Sequence, residues 1–357
     1  MEFIKDNQID ILSPSSMGVR ITPLDRGSVH NSYLFRMQAT SAETNVLNIP
    51  ASLGMKAVVL TKFVKDSPIA TFIKNELRKR NIEYIGKEIN QDGPWGFRHQ
   101  FNIADSGFGL KAPRVCNDRA GEVGRTISYE DFDLDEIFKN RKVKIVHVSG
   151  LIAALSETTS NFCLKLVKKA KENGSKVSFD INYRASFWKN REEELSHIFK
   201  EIANLSDILI GNEEDFQLAL GVKGPEDGGK DLTNKIDSFK EMIKRMTNEY
   251  PNCEIFATTL REVISANTHK WGAIAYQDNK FNIIEPKEID VLDRIGGGDG
   301  FVGGLIYALL KGYPLEKSIN IGWASGVLAC SGLDDFASPI DEKQLTSIFE
   351  GNARVVR

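Results

Sequence analysis

From about residue 140 onward, short β-branched runs alternate with amphipathic stretches, and this rhythm limits the chain to few folds. KIVHVSG leads into helical spacing over 159–173, KVSFDIN into 191–204 and DILIGN into 213–220. CEIFATT extends the series after a further helical stretch over 236–249, and the Gly-, Pro- and charge-rich connection VKGPEDGGKD reads as a surface loop. Strand-like runs that alternate with helical ones predict βαβ units and a parallel sheet.

The N-terminal part has a different period. VRITPL, YLFRMQA and FRHQFNIA alternate more nearly apolar and polar, separated by turn formers such as Asp25-Arg26-Gly27 and Gln91-Asp92-Gly93-Pro94, which predicts a small antiparallel sheet. Between them lie a helix-like piece, AETNVLNIPASLG, a strand, AVVLTKF, and a helix through IATFIKNELRKR. The small sheet is therefore expected as an insertion into a larger domain, at about 17–40 and 92–128. Insertions over one end of a parallel sheet often act as lids. A chain of 357 residues accommodates one large α/β core with such an appendage.

Charge and composition exclude several partners. A formal net charge of −3, with both signs interspersed, gives no basic stripe for nucleic acid and no polybasic cluster for an anionic membrane. Cys116, Cys163, Cys253 and Cys330 are scattered, as are the five histidines, which argues against a disulfide framework and a structural zinc site. The acid-containing first residues lack the apolar core of a signal peptide, and no stretch approaches the roughly 20 apolar residues of a membrane span. A cytoplasmic location is expected.

In an open parallel sheet the ligand sits beyond the carboxyl ends of the strands. The residues there are polar: Ser149-Gly150, Asp180 to Arg184, Gly211 to Asp215, and Thr258-Thr259. Each also reads as an ordinary helix cap, but four such groups at one edge favour a site. The sharpest local feature is VLDRIGGGDGFVGGLIYALLKGYP, in which Gly296, Gly297 and Gly298 precede Asp299 and an apolar helix. Glycines at a helix entrance let backbone N–H groups converge on an anion at the positive end of the dipole. A carboxylate beside such a cradle suits a hydroxyl that must lose its proton to attack a phosphoryl group. The same residues also read as a glycine-rich turn with Asp299 as an N-cap and Gly303-Gly304 as a close helix contact. The loop lacks the Lys-Ser/Thr ending of a Walker P-loop, so magnesium ligands and cationic groups must come from elsewhere, and Asn212, Asp215 and Arg184 are available.

DRIGGGDGF closely resembles the C-terminal signature of the PfkB, or ribokinase-like, carbohydrate kinases, with wording similar to that of 2-keto-3-deoxygluconate kinases. NDRAGEVGRTIS, VHVSGL, DINYRASFW, LIGNEED, TTLRE with WGA behind it, and LDDF follow in the family's order over residues 116–336. The resemblance implies a three-layer α/β/α sandwich with a mostly parallel sheet and a small antiparallel β lid. It implies ATP and Mg2+, with Asp299 as general base and Gly296, Gly297 and Gly298 as the anion hole. Asp180, Asn212 and Asp215 would serve magnesium. Arg119 and Arg184 would meet a sugar acid's carboxylate or the phosphate, and Asp335 would grip substrate hydroxyls. Asn212, Thr259, Arg261, Gly298, Ala324 and Gly326 would face ATP. A homodimer through the lid sheets is a further family expectation.

The N-terminal third departs from the family pattern. Ser15-Ser16 stand where the first strand usually ends in Gly and an acid, and Thr40-Ser41 replace two glycines beside the sugar, while Glu43 and Asn45 remain. Ser16, Thr40, Ser41 and Asn45 are thus candidate substrate contacts in a reshaped pocket. Pro50 falls inside an expected helix, at a cost of about 3 kcal/mol unless the helix starts or bends there. Trp95, Phe97 and Phe101 are expected to pack on the domain or a second subunit, with Arg98 and His99 in reach of substrate. The leading function is a 2-keto-3-deoxygluconate kinase; a kinase for fructose or another sugar and a non-catalytic sugar or nucleotide sensor are the alternatives.

Overall fold

The computed structural model describes residues 1–225 and 232–354, so part of the VKGPEDGGKD connection lies outside the described residues. Strands β1 (Ile9–Pro14), β2 (Gly18–Pro23), β3 (Phe35–Thr40), β4 (Ala57–Val64), β5 (Ile82–Ile89), β6 (Gln100–Ala104) and β7 (Val115–Asp118) occupy the N-terminal third. They are followed by β8 (Val143–Ser149), β9 (Lys176–Asp180), β10 (Ile208–Ile210), β11 (Ile255–Ser265), β12 (Thr268–Gln277) and β13 (Lys280–Asp290). The helices are α1 (Ala42–Ser52), α2 (Pro68–Lys79), α3 (Gly150–Ala153), α4 (Glu157–Glu172), α5 (Ala185–Trp188), α6 (Glu192–Leu205) and α7 (Glu213–Leu220). The last four are α8 (Leu232–Glu249), α9 (Gly297–Leu310), α10 (Leu315–Cys330) and α11 (Glu342–Phe349).

Nine strands form one sheet in the order β13-β12-β11-β10-β9-β8-β1-β4-β5. It is parallel from β5 to β11, and β12 and β13 extend it antiparallel. Period-two alternation divides its side chains between two apolar clusters. Leu12, Val58 and Val146 join Phe162, Phe199 and Phe239 on one face, whereas Ile11, Val59 and Ile145 join Val46, Ile73, Phe301 and Ile319 on the other. The result is the α/β/α sandwich expected from the sequence.

The remaining strands form a second sheet, ordered β3-β2-β6-β7. Its outer pairs, β2–β3 and β6–β7, are antiparallel, as their alternation predicts, while the central β2–β6 pair runs parallel. The parallel pair follows from connectivity: β4, α2 and β5 intervene between β3 and β6, so no hairpin turn fixes their sense.

Pro50 does lie inside α1 and removes the N–H that would bond the Val46 carbonyl. The neighbouring helix exploits that carbonyl as a packing surface. A Cβ at Gly303 of α9 would sit 2.5 Å from it, and one at Gly304 would meet the Ile321 carbonyl of α10 at 2.8 Å. Gly303-Gly304 therefore let α9 nest between α1 and α10, which fixes the position of the residue at its N-terminus, Asp299.

The chain leaves β1 for β4 on one side and later returns to β8 on the other. The ends of β1 and β8 thus mark the topological switch point where α/β sheets bind ligands.

Candidate active site

Gly296 is the N-cap of α9 at φ 88°, a left-handed conformation that favours glycine, and a Cβ there would overlap the Asp335 carbonyl. The segment carrying Asp335 is thereby pressed against the entrance of the helix. Gly297 also lacks room, since a Cβ would strike the Trp271 ring and come 2.7 Å from Cys330 Sγ. Gly298 is different: it is exposed and a Cβ would meet nothing within 4 Å. Nothing within the protein requires glycine at that position.

Asp299 follows in the first turn, where Asn45 Nδ2 donates to Oδ2 at 2.9 Å. Removal from water raises its pKa, the Asn45 bond opposes this, Asp335 and Glu43 add to it, and the result is about 7. A carboxyl poised near neutrality can take a proton from a hydroxyl and return it. Asp335 is buried and its pKa is raised first by that burial; Thr40 Oγ1 donates to Oδ2, and Oδ1 has no partner.

The switch point carries a second acidic group. Ser15 Oγ donates to Glu43 Oε2 at 2.8 Å, and burial raises the pKa of this fully enclosed carboxyl. Ser16 Oγ donates to Glu122, which also accepts from Arg119 Nη1 at 2.6 Å. Arg119 in turn lies over the Phe187 ring at 5.2 Å.

At the end of β9, burial and then the charges of Asp215 and Asp299 push Asp180 well above its ordinary pKa, while Arg184 opposes the shift. Asp215 is raised to about 6, again first by burial. Asn212 and Asp215 form a capping box at α7: Asn212 Oδ1 accepts from the Asp215 N–H and Asp215 Oδ2 from the Asn212 N–H, both at 2.8 Å. Asp215 Oδ1 accepts from the Tyr183 N–H at 2.8 Å. Arg184 is exposed, and its Nη1 bonds the Tyr183 carbonyl at 2.7 Å. Further along the sheet edge, loss of hydration, then Arg294, with Arg184 as a smaller contributor, bring Arg261 down to a pKa of about 10. Three guanidinium groups thus share one field beside the glycine cradle, and Thr259 lies two residues from Arg261 on β11.

Several expected contacts are corrected. Ser41 is the N-cap of α1; its hydroxyl accepts from the Thr44 N–H at 3.0 Å and shares a proton with Thr44 Oγ1 at 2.7 Å, so it serves the helix. Ala324 of α10 is fully buried in the core and presents no surface to a nucleotide. Gly326 is also buried, because α10 closes on α9 there: a Cβ would lie 2.9 Å from the Gly297 carbonyl. His99 is enclosed between the Met17 carbonyl and the Val64 N–H. Trp95 is 97% exposed, so of the two expected placements only packing on a second subunit is left for it, whereas Phe101 packs partly on the core. Arg98 is tied to Asp118 and the Ala120 carbonyl.

Other residues went unnoticed in the sequence. Arg20 of β2 pairs with Asp293 at 2.5 Å with both side chains 1% exposed, and Ser106 also donates to Asp293 at 3.1 Å. Asp293 and Arg294 lie within the quoted glycine motif, which was the available signal. Glu122 lies within the quoted NDRAGEVGRTIS segment, but its partner Ser16 is 106 positions away.

An α/β/α sandwich with an acid at a glycine-lined helix entrance beyond the sheet's switch point defines a class of phosphotransferases. Residues 123–338 match the pfkB family carbohydrate kinase pattern, and the chain belongs to that family. It is therefore a carbohydrate kinase. It is 26% identical over 333 residues to a 5-dehydro-2-deoxygluconokinase of Clostridium perfringens, covering 92% of this chain and 89% of that one. The crystal structure of a 2-dehydro-3-deoxygluconokinase from Thermotoga maritima superposes with a TM-score of 0.86 at 25% identity, covering 96% of this chain and 98% of that one. An Escherichia coli chain solved in complex with ATP and Mg2+ shares the fold, with a TM-score of 0.76 at 14% identity over 96% of this chain and 99% of that one. Among the described residues, no helix is long and apolar enough to cross a membrane.

Proposed function

We propose that the protein transfers the terminal phosphoryl group of ATP to a hydroxyl of a keto-deoxy sugar acid, with 2-keto-3-deoxygluconate as the first candidate. The observation that carries the reading is Asp299: a carboxyl with a pKa of about 7, held by Asn45 at the mouth of α9. Asp299 accepts the hydroxyl proton as the oxygen attacks. The N–H groups of Gly296, Gly297 and Gly298, at the positive end of α9, stabilise charge on the transferring phosphoryl oxygens.

Asp335, with one free buried oxygen, accepts from a sugar hydroxyl, and Thr40 orients it. Arg184 and Arg119 favour an acidic substrate, because a guanidinium fork matches a carboxylate. Arg261, Arg294 and Thr259 would meet the ATP phosphates, a role that the shared field of the two guanidinium groups supports.

Magnesium fits the edge formed by Asp180, Asn182 and Asp215. Among the described residues no three His, Cys, Asp or Glu side chains form a metal cage. However, the charges of Asp215 and Asp299 bear on buried Asp180, and Asn182 Oδ1 is buried without a partner among the described residues. These oxygens suit a hydrated divalent cation shared with ATP phosphates, whose positive charge would stabilise the anionic transition state. Asn212, already engaged in its cap, would act through its free amide.

Two relatives named for keto-deoxygluconate substrates support the sugar-acid assignment. ATP consumption with magnesium across sugar acids, ketoses, aldoses and nucleosides tests it. Selective turnover of a keto-deoxy acid is expected; preference for fructose or another neutral sugar, or silence across the panel, overturns it.

A further inference from the structure

Beyond the end of β1 lies a polar cluster of which the reaction as proposed uses only Arg119. Glu122 is fully buried, and only one of its two oxygens is engaged: Oε1 accepts from Ser16 Oγ and Arg119 Nη1, whereas Oε2 has no partner. Arg119 Nε is likewise buried and unpartnered, as is Oε1 of the enclosed Glu43. An ionised carboxylate oxygen enclosed without a donor is costly, and native structures keep such atoms where something else supplies the donor.

The cluster is rigidly placed. The Arg98 N–H bonds the Gly121 carbonyl at 2.8 Å and the Val123 N–H bonds the Arg98 carbonyl at 2.9 Å, which fixes the turn carrying Glu122. Gly124 lies so close to the end of β1 that a Cβ would overlap Ser16. The cluster also lies at the switch point of the sheet: Ser15, the neighbour of Ser16, donates to Glu43 at 2.8 Å, and Asn45, two residues beyond Glu43 on α1, donates to Asp299 at 2.9 Å.

Two buried acceptors, Glu122 Oε2 and Glu43 Oε1, and one buried donor, Arg119 Nε, complement a pair of neighbouring hydroxyls, each giving one proton and one of them receiving one. We propose that Glu122 is a specificity-determining residue that accepts a hydrogen bond from a hydroxyl of the sugar, remote from the one phosphorylated. Ser16 is a positioning residue that holds the Glu122 carboxylate and does not itself touch the sugar. The inference rests on the sugar-kinase reading but not on the substrate being an acid.

The test uses whichever panel sugar the wild-type protein phosphorylates best, together with its deoxy analogues. Glu122→Gln keeps the size and one acceptor but removes the charge. It should raise the KM for sugar about tenfold to a hundredfold, leave the KM for ATP unchanged, and erase the preference over one particular deoxy analogue. Ser16→Ala, which leaves the Arg119 pair intact, should shift the sugar KM in the same direction by less, and Glu122→Asp should restore part of the loss. An unchanged sugar KM in Glu122→Gln, or equal rises for sugar and ATP, overturns the proposal. If Glu122→Gln does not fold, Ser16→Ala decides, and a native sugar KM in that variant overturns it. Preference of the wild type for a neutral sugar would remove the sugar-acid reading and leave this test in force.

Discussion

Asn45 Nδ2 reaches Asp299 Oδ2 at 2.9 Å, joining α1 to the mouth of α9 across 254 positions of sequence. This bond favours the ionised carboxylate, whereas burial, Asp335 and Glu43 favour the protonated form. The balance near 7 predicts that kcat/KM falls about tenfold per pH unit below neutrality, where the base becomes protonated. Asn45→Ala removes an opposing influence and should move that acid limb to higher pH. A pH–rate profile of both proteins checks this, and an unmoved limb would detach Asn45 from the base.

The same carboxyl links activity to stability. Its native pKa of about 7 lies above its ordinary value of 3.8, so between those values the native protein holds a proton that the unfolded chain has released. Stability from this group therefore declines as pH rises across that window and is lowest above it. Asp299→Asn should abolish phosphoryl transfer while ATP still binds. Its melting temperature should exceed that of the wild type at pH 8, with the advantage vanishing near pH 4. Residual turnover above about one part in a hundred would count against a general-base role.

The sheet was legible because strand and helix periods are local, and the cradle because three glycines before an acid are contiguous. The contacts that shape the pocket were not local. Ser16 and Glu122, or Arg20 and Asp293, are joined only after the chain has wound β1, β2 and the small sheet against the domain. Ala324 and Gly326 failed for the opposite reason: small residues on a helix suit close packing as well as ligand approach, and here α9 takes the space. Asn212 is the N-cap of α7 that its place after β10 also suggested, its carbonyl oxygen accepting from the Asp215 N–H.

The three glycines separate folding from chemistry. Gly296→Ala combines a left-handed backbone with an overlap on Asp335, and should destabilise the protein by several kcal/mol, with roughly 1–3 of that from the backbone alone. Gly298→Ala meets no neighbour, so its melting temperature should stay within a degree or two. If the exposed backbone there receives the phosphoryl group, turnover should nonetheless fall at least about tenfold, since the added methyl crowds the oxyanion. Native turnover in Gly298→Ala would place the anion elsewhere.

Arg184 is exposed, bonds the Tyr183 carbonyl, and acts through its charge on Asp180, Asp215 and Asp299. If it receives the carboxylate of a sugar acid, Arg184→Ala should lower kcat/KM for acidic substrates about tenfold to a hundredfold and spare neutral sugars. Equal losses for both classes would assign it to the phosphate instead.

The small sheet presents polar Arg20 and Gln38 on its buried face and apolar side chains on the other. There Phe35 and Met37 are 41% and 40% exposed, and Tyr33 and Leu34, just before β3, are exposed as well. A contiguous apolar face of this kind suits a second copy of the same sheet, and a twofold arrangement would let each face cover the other. The wild type should therefore sediment as a dimer at micromolar concentration. Phe35→Glu with Met37→Glu should yield a monomer that retains its fold, because neither side chain belongs to the buried core. If the sheet is the lid, freeing its outer face should also loosen closure and raise the sugar KM more than the ATP KM. A wild type that sediments as a monomer, or a double variant that remains a dimer, would remove this face as the interface.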